Sequence, residues 1–200
     1  MLEASLLDRM SGDIHKLYGE RKAAVIGAMS GTIVELGPGT GVNMRYYQPG
    51  VHVIAIEPNP HMHDRLRARA AQHAVDLEIR TTVGESLDVA DASVSGVVAT
   101  LVLCGVDDQR KVIAEVRRVL EPGGAYFFIE HVVAPAGSFN RRVQRLVKRP
   151  HRFMANGCEV DRDTGAAIHA AGFTTVDLIQ TDTVPANLYA RHQIHGTATR

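Results

Sequence analysis

The chain has 200 residues, 45% of them apolar and 22% charged, with formal net charge zero at neutral pH. This is enough chain for one domain with a sizeable core, and the charge balance argues against a general nucleic-acid-binding role. Two cysteines, Cys104 and Cys158, give no disulfide framework and fit a reducing, cytoplasmic setting. Met1 to Met10 lacks the basic start and apolar core of a signal peptide, and no apolar run is long enough to span a membrane.

Leu2, Leu6, Leu7, Met10, Ile14 and Leu17 recur at helical spacing. They predict a helical cap over residues 1–30, with a second piece from Arg21 to Met29, stopped by Ser30-Gly31. Tyr18 is placed to contribute at the mouth of a site. Ile33, Val34 and Leu36 then read as a short buried strand. It runs into Gly37-Pro38-Gly39-Thr40-Gly41, three glycines in five residues. Glycine lets the backbone turn sharply and lets a ligand approach where a Cβ would block it. Val42 to Tyr47 is expected to start a helix. Strand, glycine turn and helix start form a nucleotide-cofactor cradle.

The dinucleotide fingerprint requires a sixth-position glycine, and here that position is Val42. Glu35 precedes the loop and would repel a pyrophosphate. It favours a ligand carrying positive charge, such as the ammonium and sulfonium of S-adenosylmethionine. A nicotinamide-dependent oxidoreductase is therefore disfavoured. Val51 to Glu57 reads as a second strand ending in a carboxylate that can accept from both ribose hydroxyls. Pro58-Asn59-Pro60 turns the chain into a helix reaching about His73. His61 and His63 do not share a helical face, so no metal site is expected.

A third strand begins at Leu77 to Arg80 and delivers Gly84-Glu85-Ser86. Val94 to Leu103, apolar without alternation, reads as a strand covered on both faces. Asp107 or Asp108 caps the next helix. Pro122-Gly123-Gly124 leads into a strand from Ala125 to Val133. His131, at its end, is the candidate general base or substrate anchor. Cys104 reads as a small pocket-lining hydrophobe. From Arg141 to Arg152 there are six basic residues and no acid, with Phe139, Val143, Leu146 and Val147 on one helical face. Such a segment, 139–152, permits weak peripheral contact with an anionic membrane or recognition of an acidic substrate. Asp161 is expected to cap a last helix through Ala171. Thr174 to Gln180 and Leu188 to Gly196 read as closing strands, one of them antiparallel.

The pattern Glu35-x-Gly37-x-Gly39-x-Gly41 resembles the first motif of class I S-adenosylmethionine-dependent methyltransferases, including the quinone-biosynthesis type. TLVLCGV (Thr100 to Val106), EVRRVLEPGGAYFFIEHV (Glu115 to Val132) and NGCEVDRDT (Asn156 to Thr164) look like the methyltransferase-like thiol methyltransferases of animals. Those proteins begin with a hydrophobic membrane anchor, which Met1 onward does not show. The resemblance implies one α/β domain over 1–200: a Rossmann-like, mostly parallel seven-stranded sheet with its last strand antiparallel and helices on both faces. It implies S-adenosylmethionine held by Glu35, Gly37, Pro38, Gly39, Thr40, Gly41, Asn43, Glu57, Pro58 and Asn59. Gly84, Glu85 and Ser86 would border the adenine, and Thr100, Leu101 and Val102 would complete the site. The implied reaction is S-methylation of a small thiol. O-, N- or C-methylation of a phenolic, quinone or lipid-headgroup acceptor is the alternative, and a non-catalytic S-adenosylmethionine-binding regulator is the reading of another class.

Overall fold

A computed structural model describes residues 15–154, 157–183 and 190–200. The expectations on residues 1–14 and on the start of the last strand, at 188–189, lie outside these. Seven strands form one sheet: β1 (Thr32–Leu36), β2 (His52–Ile56), β3 (Asp76–Arg80), β4 (Val94–Thr100), β5 (Leu120–His131), β6 (Thr175–Asp182) and β7 (His192–Thr199). Their order is β3-β2-β1-β4-β5-β7-β6. All pairings are parallel except those of β7, which runs antiparallel to both β5 and β6. The expected sheet is therefore found. Strand order reverses at β1, which lies between β2 and β4, and an open α/β sheet places its ligand at such a point.

Alternate strand residues face opposite sides, and each side has its own apolar layer. Val34, Ile54, Val97 and Phe128 pack with Val112, Ile113 and Val116 of helix α3 (Gln109–Val119) and with Ile168 of α5 (Thr164–His169). Ile33, Val53, Val98 and Phe127 pack with Tyr18 and Ile26 of helix α1 (residues 15–26) and Leu66 and Ala70 of α2 (Pro60–Gln72). The fourth helix, α4 (Phe139–Met154), follows β5. The outer strands β3 and β6 keep charged residues on partly exposed faces, which limits pairing with other chains.

Caps set the helix starts. Asp108 Oδ1 accepts from the amides of Arg110 and Lys111 at 3.0 and 3.3 Å, and Asn59 accepts from the amide of His61 ahead of Pro60. Four expectations are corrected. Behind the glycine loop only a 3-10 turn forms (Met44–Tyr46), and Tyr47 is already extended. Pro49 disfavours helical geometry at Gln48, so the turn cannot grow. The cap of α5 is Asp163, which accepts from Ala166, because the helix starts only at Thr164; Asp161, three residues ahead of it, pairs with Lys148 Nζ at 3.1 Å. Strand β4 ends at Thr100: Leu101 adopts φ +58°, and the amides of Val102 and Leu103 both turn to Glu130 Oε1 at 3.0 Å. Strand β7 extends to Thr199, since its pairing with β5 runs from Gln193 opposite His131 to Thr199 opposite Ala125.

Gly196 sits in β7 where a Cβ would lie 2.0 Å from the Asp177 carbonyl oxygen and 2.9 Å from Phe128. Backbone cannot yield that distance without parting β6 from β7. Gly196→Ala is expected to lower the unfolding free energy by about 2–3 kcal/mol, as overpacking does, read by urea denaturation. Unchanged stability would mean that β6 pairs elsewhere.

Candidate active site

The tips of β1, β2 and β4 meet because Leu36 lies opposite Ile56 on one side and Ala99 on the other. Gly37, Gly39 and Gly41 follow with φ of +53°, +57° and +83°, a conformation that L side chains rarely adopt. Each has a different neighbour. A Cβ at Gly37 would press on Val102 at 2.9 Å, and one at Gly41 on Leu66 at 2.9 Å. At Gly39 a Cβ would meet nothing within 4 Å. The loop is therefore packed at both ends and opens onto vacant space at its centre. Pro38 closes the turn by accepting from the Gly41 amide at 2.9 Å. Thr40 faces away, its hydroxyl accepting from Arg69 on α2.

Glu57 draws the loop to the second strand tip. Its Oε2 accepts from the Gly39 amide and its Oε1 from the Asn59 amide, both at 2.9 Å. Pro58 is exposed beside it. A carboxylate oxygen carries more lone pairs than these bonds use, so Glu57 retains capacity toward ligand hydroxyls.

Beneath the loop lies a buried polar network. Glu35 is 1% exposed; its Oε1 accepts from Asn43 Nδ2 at 2.8 Å and its Oε2 from the Tyr47 hydroxyl at 2.9 Å. Asn43 Nδ2 also donates to Thr100 Oγ1 at 3.1 Å, and Asn43 Oδ1 accepts from Lys22 Nζ at 2.9 Å. Glu35 thus holds the loop through its neighbours, whereas the sequence places it against the ligand. Burial raises the Glu35 carboxyl above its ordinary value, opposed by Asn43, Tyr47 and Lys22. Burial lowers Lys22 to about 8, with Glu35 opposing. Lys22 and Tyr47 escaped the sequence reading. The available signal was a lysine on the stripe Tyr18, Lys22, Ile26, where i to i+4 spacing demands burial.

The other expected residues fall in two places. Gly84 packs on Val112, Ser86 is exposed, and Glu85 Oε1 accepts from the amides of Asp107 and Asp108 at 2.8 and 3.2 Å, tying its loop to the start of α3. Tyr18 is buried, donating to Gln193 Oε1 at 2.7 Å beside the end of β5. His131 lies at the end of β5 with Cys104 and Cys158, a ring nitrogen and two sulfurs all within 4.8 Å of one another. Next to them the Glu130 carboxyl is fully buried and pushed up to about 8 by burial, against the pull of the backbone amides of residues 102–104. The neighbouring Cys158 thiol, burial and Glu130 push the Cys104 thiol well above its usual range.

Residues 34–128 match a family model described as a methyltransferase domain. Thiol S-methyltransferase TMT1B of Rattus norvegicus is 37% identical over 180 residues, covering 88% of this chain and 74% of the relative. Human thiol S-methyltransferase TMT1A is 35% identical over 172 residues, covering 84% and 70%. The chain belongs to the S-adenosylmethionine-dependent methyltransferases. The fold agrees: geranyl diphosphate C-methyltransferase from Streptomyces coelicolor A3(2), whose structure includes S-adenosyl-L-homocysteine, superposes with a TM-score of 0.71 at 15% identity, covering 93% of this chain and 80% of that one. A putative methyltransferase of Haloferax volcanii in complex with its Trm112 activator superposes at 0.68 and 17% identity, covering 96% and 92%.

The cofactor of this methyltransferase is S-adenosylmethionine, and the residues present fit it. The open space over Gly39 takes a ligand where any side chain would stand, and Glu57 offers an acceptor at its edge. Gly39→Val is expected to fold, with a strain cost of about 1–3 kcal/mol at φ +57°, and to lose S-adenosylmethionine binding by at least tenfold in calorimetry. A folded variant with parental affinity would move the cofactor away from this loop.

The Lys22 network also predicts a pH dependence. Below pH 8 the lysine is protonated in both states; between about 8 and 10.5 the native state has released the proton and the unfolded chain has not. The unfolded state then binds more protons, so stability gains with rising pH and loses as pH falls toward 8, by up to about 3 kcal/mol. Urea melts of the parent and of Lys22→Met should therefore converge on neither side: the parent should gain on the variant from pH 8 to pH 10. A constant difference would show that Lys22 stays charged in the fold.

Proposed function

We propose that this methyltransferase S-methylates a small thiol. The observation that carries the reading is the 35–37% identity, over most of the chain, to proteins named thiol S-methyltransferases. S-adenosylmethionine supplies an activated methyl group, and the protein need only bind, align and desolvate the acceptor. In this reading the glycine loop and Glu57 hold the cofactor, with Glu35, Asn43, Lys22 and Tyr47 fixing the loop from below. The ends of β4 and β5 border the acceptor side, where Cys104, Cys158 and His131 present soft and basic atoms. Where no metal occupies that cluster, His131 serves there as base or anchor.

The reading includes weak contact with anionic membranes through α4. Phe139 and Leu146 are 70% and 82% exposed, and a cavity of about 350 Å³ at the start of α4 is lined by Arg141, Arg142, Arg145 and Ser138. Charge attraction of this kind contributes about 1 kcal/mol per basic residue and is screened by salt. Among the described residues no helix is long and apolar enough to cross a membrane. A cytoplasmic setting is part of the proposal, supported by two cysteines present as thiols; nucleic acid is not part of it.

Turnover of a panel of thiols, phenols and amines with S-adenosylmethionine, read by mass spectrometry, tests the proposal. Methyl thioethers should form with the highest kcat/KM in the panel. A phenol or amine turned over faster than every thiol would replace this reading with O- or N-methylation.

A further inference from the structure

Three loops converge beside the acceptor side of the site, and backbone bonds fasten them together. The Glu159 amide donates to the Cys104 carbonyl at 2.6 Å, Arg162 Nη1 to the Leu103 carbonyl at 2.8 Å, and the Val133 amide to the Arg162 carbonyl at 3.0 Å. Gly157, at φ +89°, lets its loop come so near that a Cβ there would lie 3.2 Å from the Gly105 carbonyl oxygen. The result sets Cys104 after β4, His131 at the end of β5 and Cys158 before α5 around one point. Cys104 is buried and the other two are half-buried. His131 Nδ1 is buried and makes no hydrogen bond. Packing alone does not require a nitrogen in that state; a polar atom left so costs free energy unless something binds it.

We propose that Cys104, His131 and Cys158 form a three-ligand site for a soft divalent cation, zinc above all, with its fourth position open toward the acceptor. Two sulfurs and one imidazole are a zinc donor set, and three protein ligands with an open position are the arrangement of catalytic zinc sites. Zinc–sulfur bonds of about 2.3 Å at tetrahedral angles put ligand atoms about 3.8 Å apart, so donors lying within 4.8 Å close on one ion with small side-chain rotations. Two thiolates and a neutral imidazole would balance the charge of the ion, which suits a site this buried. The spacing hides the site from sequence patterns, because each ligand comes from a different loop and none belongs to a paired motif.

The identity of the fourth ligand rests on the thiol reading above; uptake of the ion does not. An acceptor thiol binding the ion gives its proton to solvent and stays as a metal-bound thiolate. A sulfur lone pair then forms the new carbon–sulfur bond as the methyl–sulfonium bond breaks, its electron pair remaining on the S-adenosylhomocysteine sulfur. The product is a neutral thioether, a poorer ligand than a thiolate, and it leaves the ion.

The test uses the full chain, purified under reducing conditions and titrated with Zn²⁺ and with Co²⁺. One ion per chain should bind, and the cobalt protein should show thiolate-to-cobalt charge transfer and the intense visible bands of tetrahedral cobalt. Cys158→Ser should weaken Zn²⁺ binding at least tenfold and reduce the charge-transfer band, while its calorimetric affinity for S-adenosylmethionine stays parental and shows that it is folded. His131→Ala should change the visible bands and keep the charge transfer. An acceptor thiol that the parent turns over should shift the cobalt bands. Absence of stoichiometric metal, equal Zn²⁺ affinity in a folded Cys158→Ser protein, or a Cys104–Cys158 disulfide formed by a reduced protein that takes up no metal would overturn the site. Thiol turnover with unmoved cobalt bands would overturn the fourth-position assignment and leave the thiol reading intact; metal uptake without any thiol turnover would overturn the thiol reading, and the fourth-ligand assignment with it, and leave the metal site standing.

Discussion

The glycine loop of this protein is held open by a charge buried beneath it. A loop with three residues at positive φ has no regular backbone ladder to fix it, so beyond single backbone bonds such as Gly37 to the Ile56 carbonyl and Gly41 to the Pro38 carbonyl its shape depends on side chains. Glu35 provides that anchor from the end of β1. It fixes Asn43 and Tyr47, and Asn43 in turn reaches Thr100 on β4 and Lys22 on α1. Four elements are thus joined through one amide side chain. Burying a carboxylate is costly unless it is paired and hydrogen-bonded, and here each of its oxygens has a donor and a lysine stands near. Gly39 itself carries no side chain: the loop is held by Glu57 at its edge and by Asn43 and Glu35 beneath.

A second anchor is Glu130, and it has the same logic two strands further on, on the far side of β4. Its Oε1 gathers the amides of Val102 and Leu103 just where Leu101 turns to positive φ. That bends the chain out of β4 and brings Cys104 toward His131. Two buried carboxylates, on strands that flank β4, therefore shape this end of the sheet. One sets the glycine loop and the other the turn that carries Cys104.

The sheet itself keeps these two halves in register. Parallel pairing of β2, β1, β4 and β5 aligns their C-terminal ends along one edge, so loops distant in sequence share one rim. The antiparallel β7, paired with β5 over its whole length, fixes the outer side of that rim through contacts such as Tyr18 with Gln193.

The amino-acid order alone determined the βα alternation, the glycine turn and the carboxylates Glu35 and Glu57, because apolar periodicity, glycine and capping residues act over a few neighbouring positions; the family was legible only through the resemblance of whole stretches such as Glu115 to Val132. Asp108 is a cap whichever way the rest of the chain packs. Helix growth after Val42 failed for a reason that was also local but weaker, a proline two residues beyond Tyr47. Other features depended on which distant groups became neighbours, and periodicity does not report that. Asp163, rather than Asp161, is the cap because the helix starts at Thr164, a boundary the residue pattern did not fix. Lys22 lies on the buried stripe of α1, but its partner Asn43 is known only once α1 is laid over the glycine loop. Glu35 reads as a ligand contact until Asn43 and Tyr47 fold back onto it. Cys104, His131 and Cys158 carry no common motif, and they became a cluster only when three loops were stitched together at one end of the sheet.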